Sequence, residues 1–257
     1  MATISQFAFL TYQLTVRDLK TRYRQTFLGA LWALGRPLGE LVVYVIVFGS
    51  FLKAPSGDIP YPLFAYTGVV LWTYVAGGLP RGTRSITAHA ALVSRTPFPK
   101  ATIPLAALAA AMVDAMVAGL LLAVLLIAYR TALPSFAALW LLPVAVVLVM
   151  IVTGLTLICS ALNVFYHDFS HLVDVGVRLW LLITPVVYAS SAVPTHYRAL
   201  YDLNPLVAVF EGARTALFGG RPPALASLLY PFGAGTVLLV VGVLLFRVTE
   251  PFFPESV

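Results

Sequence analysis

Few side chains in this 257-residue chain are of types that do chemistry, and they are unevenly placed. Asp114 stands inside the apolar run from Ile103 to Tyr129. At 1.5 Å per residue it lies roughly 16 Å along such a helix, near the middle of a hydrocarbon layer roughly 30 Å thick. A carboxylate at that depth is a candidate functional site, and equally a protonated or hydrogen-bonded packing residue held by a Thr or Tyr of a neighbouring helix. His167 and His171 stand four apart, with Asp168 and Asp174 close by. One helical turn between two imidazoles is a metal-ligand spacing. The pattern is not HExxH, however, and no other stretch supplies further ligands, so a small polar turn is the better reading.

Other chemistry is excluded by what is missing. A phosphate loop needs GxxxxGK followed by Ser or Thr. Lys20-Thr21 is the only Lys followed by Ser or Thr, and no glycine precedes it. Any ATP-driven role therefore needs a separate subunit, which would then bind the ATP and Mg²⁺, with no cofactor on this chain. No Asp-x-Asp pair occurs among the 10 acidic residues, which argues against a metal-dependent glycosyltransferase. The single cysteine, Cys159, allows no intrachain disulfide. No series of intramembrane acids and histidines suggests a proton relay, and no inverted repeat is visible.

The elements that must position these residues are membrane helices. The chain is 60% hydrophobic and 10% charged, where a soluble domain carries about 25% charged residues. So few charges cannot cover a water-facing surface. Six stretches approach the roughly 20 apolar residues that a crossing needs: 33–52, 61–79, 103–129, 139–162, 172–192 and 228–246. The fifth is the most interrupted, by Asp174, Arg178 and Pro185. The first follows a polar, basic segment with no small-residue cleavage site, unlike a signal peptide. Arg17, Lys20, Arg22 and Arg24 precede the first span, and Arg81, Arg84, Arg95 and Lys100 lie between the second and third. The opposite short loops carry only Lys53 and Arg130. The positive-inside rule then puts both termini in the cytoplasm, as six crossings also require. No loop is long enough for a soluble domain. The expected organisation is one all-α membrane domain over 1–257, with a cytoplasmic amphipathic arm (1–32) and a six-span bundle (33–248).

Four connecting segments carry information. In the arm, Tyr12, Val16, Leu19, Tyr23, Phe27 and Ala30 form one apolar stripe at helical spacing, with Arg17, Asp18, Lys20 and Arg24 off it. Such a helix lies in the membrane interface, as a topology anchor or as a docking surface for a cytosolic partner or anionic lipid. Residues 80–104 predict a short helix over about 83–92, then a rigid TPFPK turn presenting Phe98 and Lys100. Residues 163–174 form a short polar connection. Residues 193–227 are too apolar for an ordinary loop and contain two short helical patterns broken at Asn204-Pro205, which fits helices dipping back into the outer leaflet. Glu211 and Arg214 can pair across one turn. Trp32, Trp72, Tyr74, Trp180 and Tyr188 are interfacial aromatics or, for some, the lining of a sugar path.

These segments resemble, in order and spacing over nearly the whole chain, the ABC-2 type permeases that export O-antigen and teichoic acid. The resemblance is carried by RDLKTRYRQTFLGALWA (17–33) followed by Pro37, by LVSRTPFPKATIPLA (92–106), and by LNVFYHDFSHLV (162–173). TPVVYASSAVP (184–194) and LNPLVAVFEGAR (203–214) complete it. It implies a homodimer with two copies of a cytosolic P-loop ATPase, in the inner membrane of a bacterium. It also implies an undecaprenyl-diphosphate-linked glycan as cargo, with no enzyme activity or nucleic-acid partner for this chain. Carried over, the ATPase contacts are Arg17, Lys20, Arg22 and Tyr23, then Arg95, Phe98 and Lys100, then Phe165, Tyr166, His167 and Asp168. His167 stands where the family more often has arginine. Arg22, Arg24 and Arg36 are the candidates for a diphosphate entrance, since clustered cations offset the desolvation of such a group. Trp32, Trp72, Tyr74, Asp114, Tyr188, Asn204, Glu211 and Arg214 are candidates for the path and its exit. A permease of the same fold for a small drug or lipid is the alternative. A membrane-embedded transferase, with His167 and Asp168 as its site, and a passive channel are readings of other classes.

Overall fold

The computed structural model describes residues 4–24, 32–96, 98–131, 136–220 and 222–256, and these are helices and short connections with no strand among them. α1 spans Ile4–Arg24, and α2 spans Trp32–Tyr44 and continues as a π-helix over Val45–Phe51. α3 is Tyr61–Ala88, α4 Ala90–Arg95 and α5 Thr102–Ala128. A 3₁₀ turn, Phe136–Trp140, leads into α6, Leu141–Phe165. α7 is Phe169–Leu182, α8 Arg198–Asp202 and α9 Pro205–Phe218. α10 runs Leu225–Thr249, and one 3₁₀ turn, Glu250–Phe252, joins it to α11, Phe253–Ser256.

Among the described residues four helices are long and apolar enough to cross a membrane: α3, α5, α6 with its leading turn, and α10 with its trailing one. The expected first span is a shorter apolar helix, Pro37–Phe51. The expected fifth span, 172–192, differs most. α7 has 14 residues, about 21 Å of helix, and stops at Leu182. Pro185 cannot donate a helical hydrogen bond and pushes Thr184 out of the helical region, so the helix ends there and the rest of the segment continues as turns. The second span shows the opposite correction. Pro80 does not end it: α3 runs on to Ala88 with Pro80 buried inside. The short helix expected over about 83–92 is therefore divided between the last turns of α3 and α4.

Burial does not follow hydropathy. α3 is the least apolar of the four long helices, yet 67% of its most apolar window is buried, against 22% for α10. A helix at the centre of a membrane bundle touches protein rather than lipid and tolerates small and hydroxylated residues. Thr67, Thr73 and Thr83 each donate to the carbonyl one turn back, at 2.8 Å. The outer helices expose one apolar face: Met116, Leu120, Val124 and Ile127 on α5, and Val237, Val241, Leu244 and Val248 on α10.

Where α6 crosses α10 the backbones touch. A Cβ on Gly154 would lie 2.4 Å from the Leu238 carbonyl carbon, and one on Gly242 would lie 2.6 Å from the Gly154 carbonyl oxygen. Glycine is needed at both positions for that approach. The buried apolar residues form a central cluster around Trp72, Ile151 and Phe210. A second, around Ile86, Val164, Phe246 and Phe253, lies at the α1 end of the bundle, and a third, around Leu63, Tyr66 and Leu122, lies toward the α9 end.

Candidate functional site

A cavity of about 620 Å³ opens between α1, α2, α3, α5 and α7. Its wall carries Arg22, Arg81, Arg84 and Arg178, and also Glu40, Asp114 and Asp174. Asp114 is not isolated. Its Oδ2 accepts from Arg22 Nη1 at 2.5 Å and from Arg81 Nη2 at 3.1 Å. Arg22 also donates to Asp18 at 2.6 Å, one turn back on α1. Arg81 Nε donates to the Gly77 carbonyl, just before Pro80 on the cavity side of α3. Arg84 pairs with Asp174 across to α7 at 2.7 Å. Arg178 has no ion-pair or hydrogen-bond partner among the described residues and lines the same cavity.

This arrangement brings α1 into the bundle. Thr15 Oγ1 reaches the Ala106 carbonyl at 3.4 Å, and Arg22 reaches Asp114, so α1 advances alongside α5 turn by turn. The sequence stripe put Asp18 off the membrane-facing side of α1; the structure gives the helix a polar inward edge as well, with Thr15 buried and Asp18 and Arg22 partly so. Tyr12 on the expected stripe is 64% exposed. Asp114 thus joins the entrance candidate Arg22 rather than the exit set with which the sequence grouped it.

Trp72 closes the inner end of the cavity. Its ring meets Trp180 edge-on at 6.4 Å and Phe210 at 6.5 Å. Trp180 Nε1 donates to Asn204 Oδ1 at 3.0 Å. Asn204 caps α9, accepting from the Leu206 N–H at 3.1 Å and donating to Thr184 Oγ1 and the Ile183 carbonyl at 3.0 and 3.1 Å. The cap fixes the start of α9 against the turn that Pro185 imposes after α7. Arg214, 3% exposed, donates to the Val186 carbonyl at 2.8 Å, lies 3.7 Å over the Phe64 ring and pairs with Glu211 at 3.5 Å. Glu211 also accepts from Ser190 at 2.8 Å. Tyr188 packs 6.4 Å from Tyr201, whose phenol burial pushes above its ordinary range and keeps neutral. Asn204, Glu211, Arg214 and Tyr188 are therefore one group at the α9 end. Tyr74 is buried in the central cluster.

The three sequence segments read as a docking surface meet at the α1 end. Leu14 of α1, Val93 of α4, Phe98 of the TPFPK turn and Val164 of α6 belong to one cluster. On its outside, Arg17, Lys20, Arg95, Tyr166, His167 and Asp168 are exposed and Phe165 is 40% exposed. Lys100 is held: its N–H donates to Glu250 Oε1 at 2.7 Å and its Nζ to the Glu250 carbonyl at 3.2 Å. Among the described residues no three of His, Cys, Asp and Glu come together as a metal site. The side chains of Tyr23, Arg24, Trp32 and Arg36, and all of Phe27, Ala30, Pro97 and Arg221, lie outside the described set.

Comparison with known proteins then decides the family. Residues 10–218 match the ABC-2 type transporter family. The chain belongs to that family. It is 30% identical over 252 residues to an O-antigen export system permease protein RfbA of Klebsiella pneumoniae, covering 94% of this chain and 92% of that one. It is 28% identical over 256 residues to the RfbA of Myxococcus xanthus, covering 98% and 96%. It is 25% identical over 242 residues to the polysialic acid transport protein KpsM of Escherichia coli, covering 92% of each.

Within this ABC-2 chain, sequence reasoning missed Arg81, Arg84, Asp174 and Arg178 as a group. Arg81 and Arg84 read as orientation signals and Asp174 and Arg178 as interruptions of a span. The signal was the spacing: three apart on α3 and four apart on α7 put each pair on one helix face. It stayed hidden because Pro80 seemed to end the helix that presents the arginines.

Proposed function

We propose that this chain is the membrane subunit of an ATP-driven exporter that moves lipid-linked polysaccharide, such as O-antigen or a similar cell-surface glycan, across the cytoplasmic membrane of a bacterium. The observation that carries the proposal is the match over 92% or more of this chain to relatives named for O-antigen export and polysialic acid transport. Two copies of the chain form the path, and two copies of a cytosolic P-loop ATPase hold the ATP and Mg²⁺ that this chain does not bind. The chain crosses the membrane six times, α2 and the α7 segment supplying the two shorter crossings, with both termini in the cytoplasm. The exposed faces of α1, α4 and the 165–168 turn receive the ATPases.

The cavity geometry supports an entrance at the α1 end. Arg22, together with Arg24 and Arg36 on the same two helices, meets the lipid diphosphate of an undecaprenyl-linked glycan. Guanidinium groups suit that role because they bind phosphate through paired, charge-assisted hydrogen bonds. The Asn204–Arg214 group at the other end shapes the exit. A long hydrophilic polymer cannot cross hydrocarbon unaided, and a lined path between helices is the available solution.

The experiment is reconstitution. The tagged chain is purified from its native membrane, co-purifying ATPase is measured, and hydrolysis is followed with and without lipid-linked glycan. Equal amounts of a P-loop ATPase, stimulated by that lipid, are expected. Stimulation by a small drug or a free lipid instead would replace the cargo, and a dimer with no ATPase would sink the exporter reading.

A further inference from the structure

The segment that follows α10 has no role in anything described above, yet the three ATPase-facing segments all converge on it. Phe253 is fully buried. Its ring meets Phe246 edge-on at 5.2 Å and Phe165 at 6.1 Å. It shares one cluster with Ile86 of α3, Val93 of α4, Ile103 of α5 and Val164 of α6, and Leu14 and Phe98 pack against that cluster. Three residues earlier, Glu250 supplies two acceptors to a single residue. Its carboxylate takes the Lys100 backbone N–H at 2.7 Å, and its carbonyl takes the Lys100 ammonium at 3.2 Å. Pro251 in the intervening 3₁₀ turn fixes φ and stiffens the link between the two anchors.

We infer that Glu250 and Phe253 are positioning residues for the ATPase-facing surface: they hold the TPFPK turn, α4, the middle of α1 and the end of α6 as one block, so that a push on any of these segments reaches α3 and α5 together. The inference rests on reading those segments as the ATPase contact. The physical case is that short loops transmit displacement only if they cannot yield. α4 has six residues, and the described residues of the TPFPK turn, Thr96 and Phe98–Lys100, are not helical, so neither is rigid by its own hydrogen bonds. Their rigidity comes from what they pack against, and that is Phe253 and Glu250. Neither residue is itself a surface contact: Phe253 is buried, and the Glu250 carboxylate is occupied by Lys100.

The test uses the full chain co-expressed with its ATPase. Phe253→Ala and Glu250→Ala are compared with Phe253→Leu and Glu250→Gln, which keep an apolar filler and an amide oxygen for the Lys100 N–H. Leu63→Ala, a cavity of comparable kind at the opposite end of α3, serves as control for stability alone. Thermal melting of the permease, ATPase retained per permease, and the kcat and KM for ATP are measured. The two alanine variants are expected to lower retained ATPase or kcat by about fivefold or more, with KM unchanged and the conservative variants near wild type. Leu63→Ala is expected to lower melting alone. Equal loss of ATPase coupling in Leu63→Ala would overturn the inference, as would unchanged coupling in both alanine variants. A double variant, Arg95→Glu with Tyr166→Ala, separates the two levels. Its loss of ATPase while the alanine variants keep theirs refutes the inference alone. Retention by it as well refutes the docking reading and the inference together.

Discussion

Asp114→Asn is the most informative single change, because it tests whether the arm is tied into the bundle by charge. In the wild type, one carboxylate oxygen receives Arg22 at 2.5 Å and Arg81 at 3.1 Å, and the carboxylate is 16% exposed. With charge centres about 4 Å apart and an effective dielectric of about 20, each attraction is about 4 kcal/mol. The two guanidiniums repel one another across the same carboxylate, and water reaches them through the open cavity, so most of that is offset. Removing one partner of a partly buried pair costs about 3 kcal/mol, near the low end for buried ion pairs. For a chain of this length that lowers melting by roughly 6–12 °C. Arg22→Gln alone should cost less, because Asp114 keeps Arg81. In the double variant no Arg22 charge remains to be left without its Asp114 partner, so the two effects should fall short of additive by about 1–2 kcal/mol. The assay is thermal unfolding of the purified chain in one detergent at low and moderate salt, completed as a double-mutant cycle. Asp114→Asn melting within about 1 °C of wild type, or strict additivity with Arg22→Gln, would refute the ion-pair argument.

Three further outcomes follow from the packing. Gly154→Ala should destabilise by at least about 1–3 kcal/mol, because the added carbon would overlap Leu238 backbone rather than a movable side chain; a melt at the wild-type temperature would show that α6 and α10 do not touch there. Arg214→Met should cost about 3 kcal/mol and expose 183–220 to protease, and Arg214→Lys should not restore it, since an ammonium cannot reach the Val186 carbonyl, the Phe64 face and Glu211 in one planar geometry; full rescue by Lys would remove the argument from shape. Asn204→Ala should loosen the same segment by about 1–2 kcal/mol through loss of the cap and of the Trp180 N–H acceptor, read as faster amide exchange in the first turn of α9 with unchanged exchange in α6.

The bundle was legible in the sequence where helices are long and lipid-facing, because there apolar length is the determinant. The bounds of α5, α6 and α10 lie close to the apolar runs. The two errors fell on prolines, whose effect depends on context. Pro80 is tolerated because Arg81 and the buried small residues of α3 hold the helix through it, whereas Pro185 ends α7 because the chain there turns to meet Arg214 and Asn204. The partners of the intramembrane acid were equally out of reach. Asp114 meets Arg22 from 92 residues away and Arg81 from 33, and nothing local in a sequence marks a pair formed between helices. Glu211 with Arg214 was foreseeable because that pair is made within one turn.

The two ends of the molecule are joined by contacts of different character, and this bears on how a push at one end could reach the other. At the α1 end the arm is held by ion pairs facing an open cavity. Each guanidinium there can be passed from one charged partner to another without being left unpaired, because the pairs face an open cavity. At the α9 end the buried Arg214 donates to the Val186 carbonyl, and breaking that bond leaves polar groups with no alternative partner, while the half-buried Asn204 ties the Ile183 carbonyl and the Leu206 N–H together. Within the central cluster between them, the Trp72, Trp180 and Phe210 rings can slide on one another without breaking a hydrogen bond except that of Trp180 to Asn204. A movement that passes Arg22 from Asp114 to another charged partner therefore breaks no other bond until it reaches Asn204, which makes the Trp180–Asn204 bond the point at which the α9 end must either follow or hold.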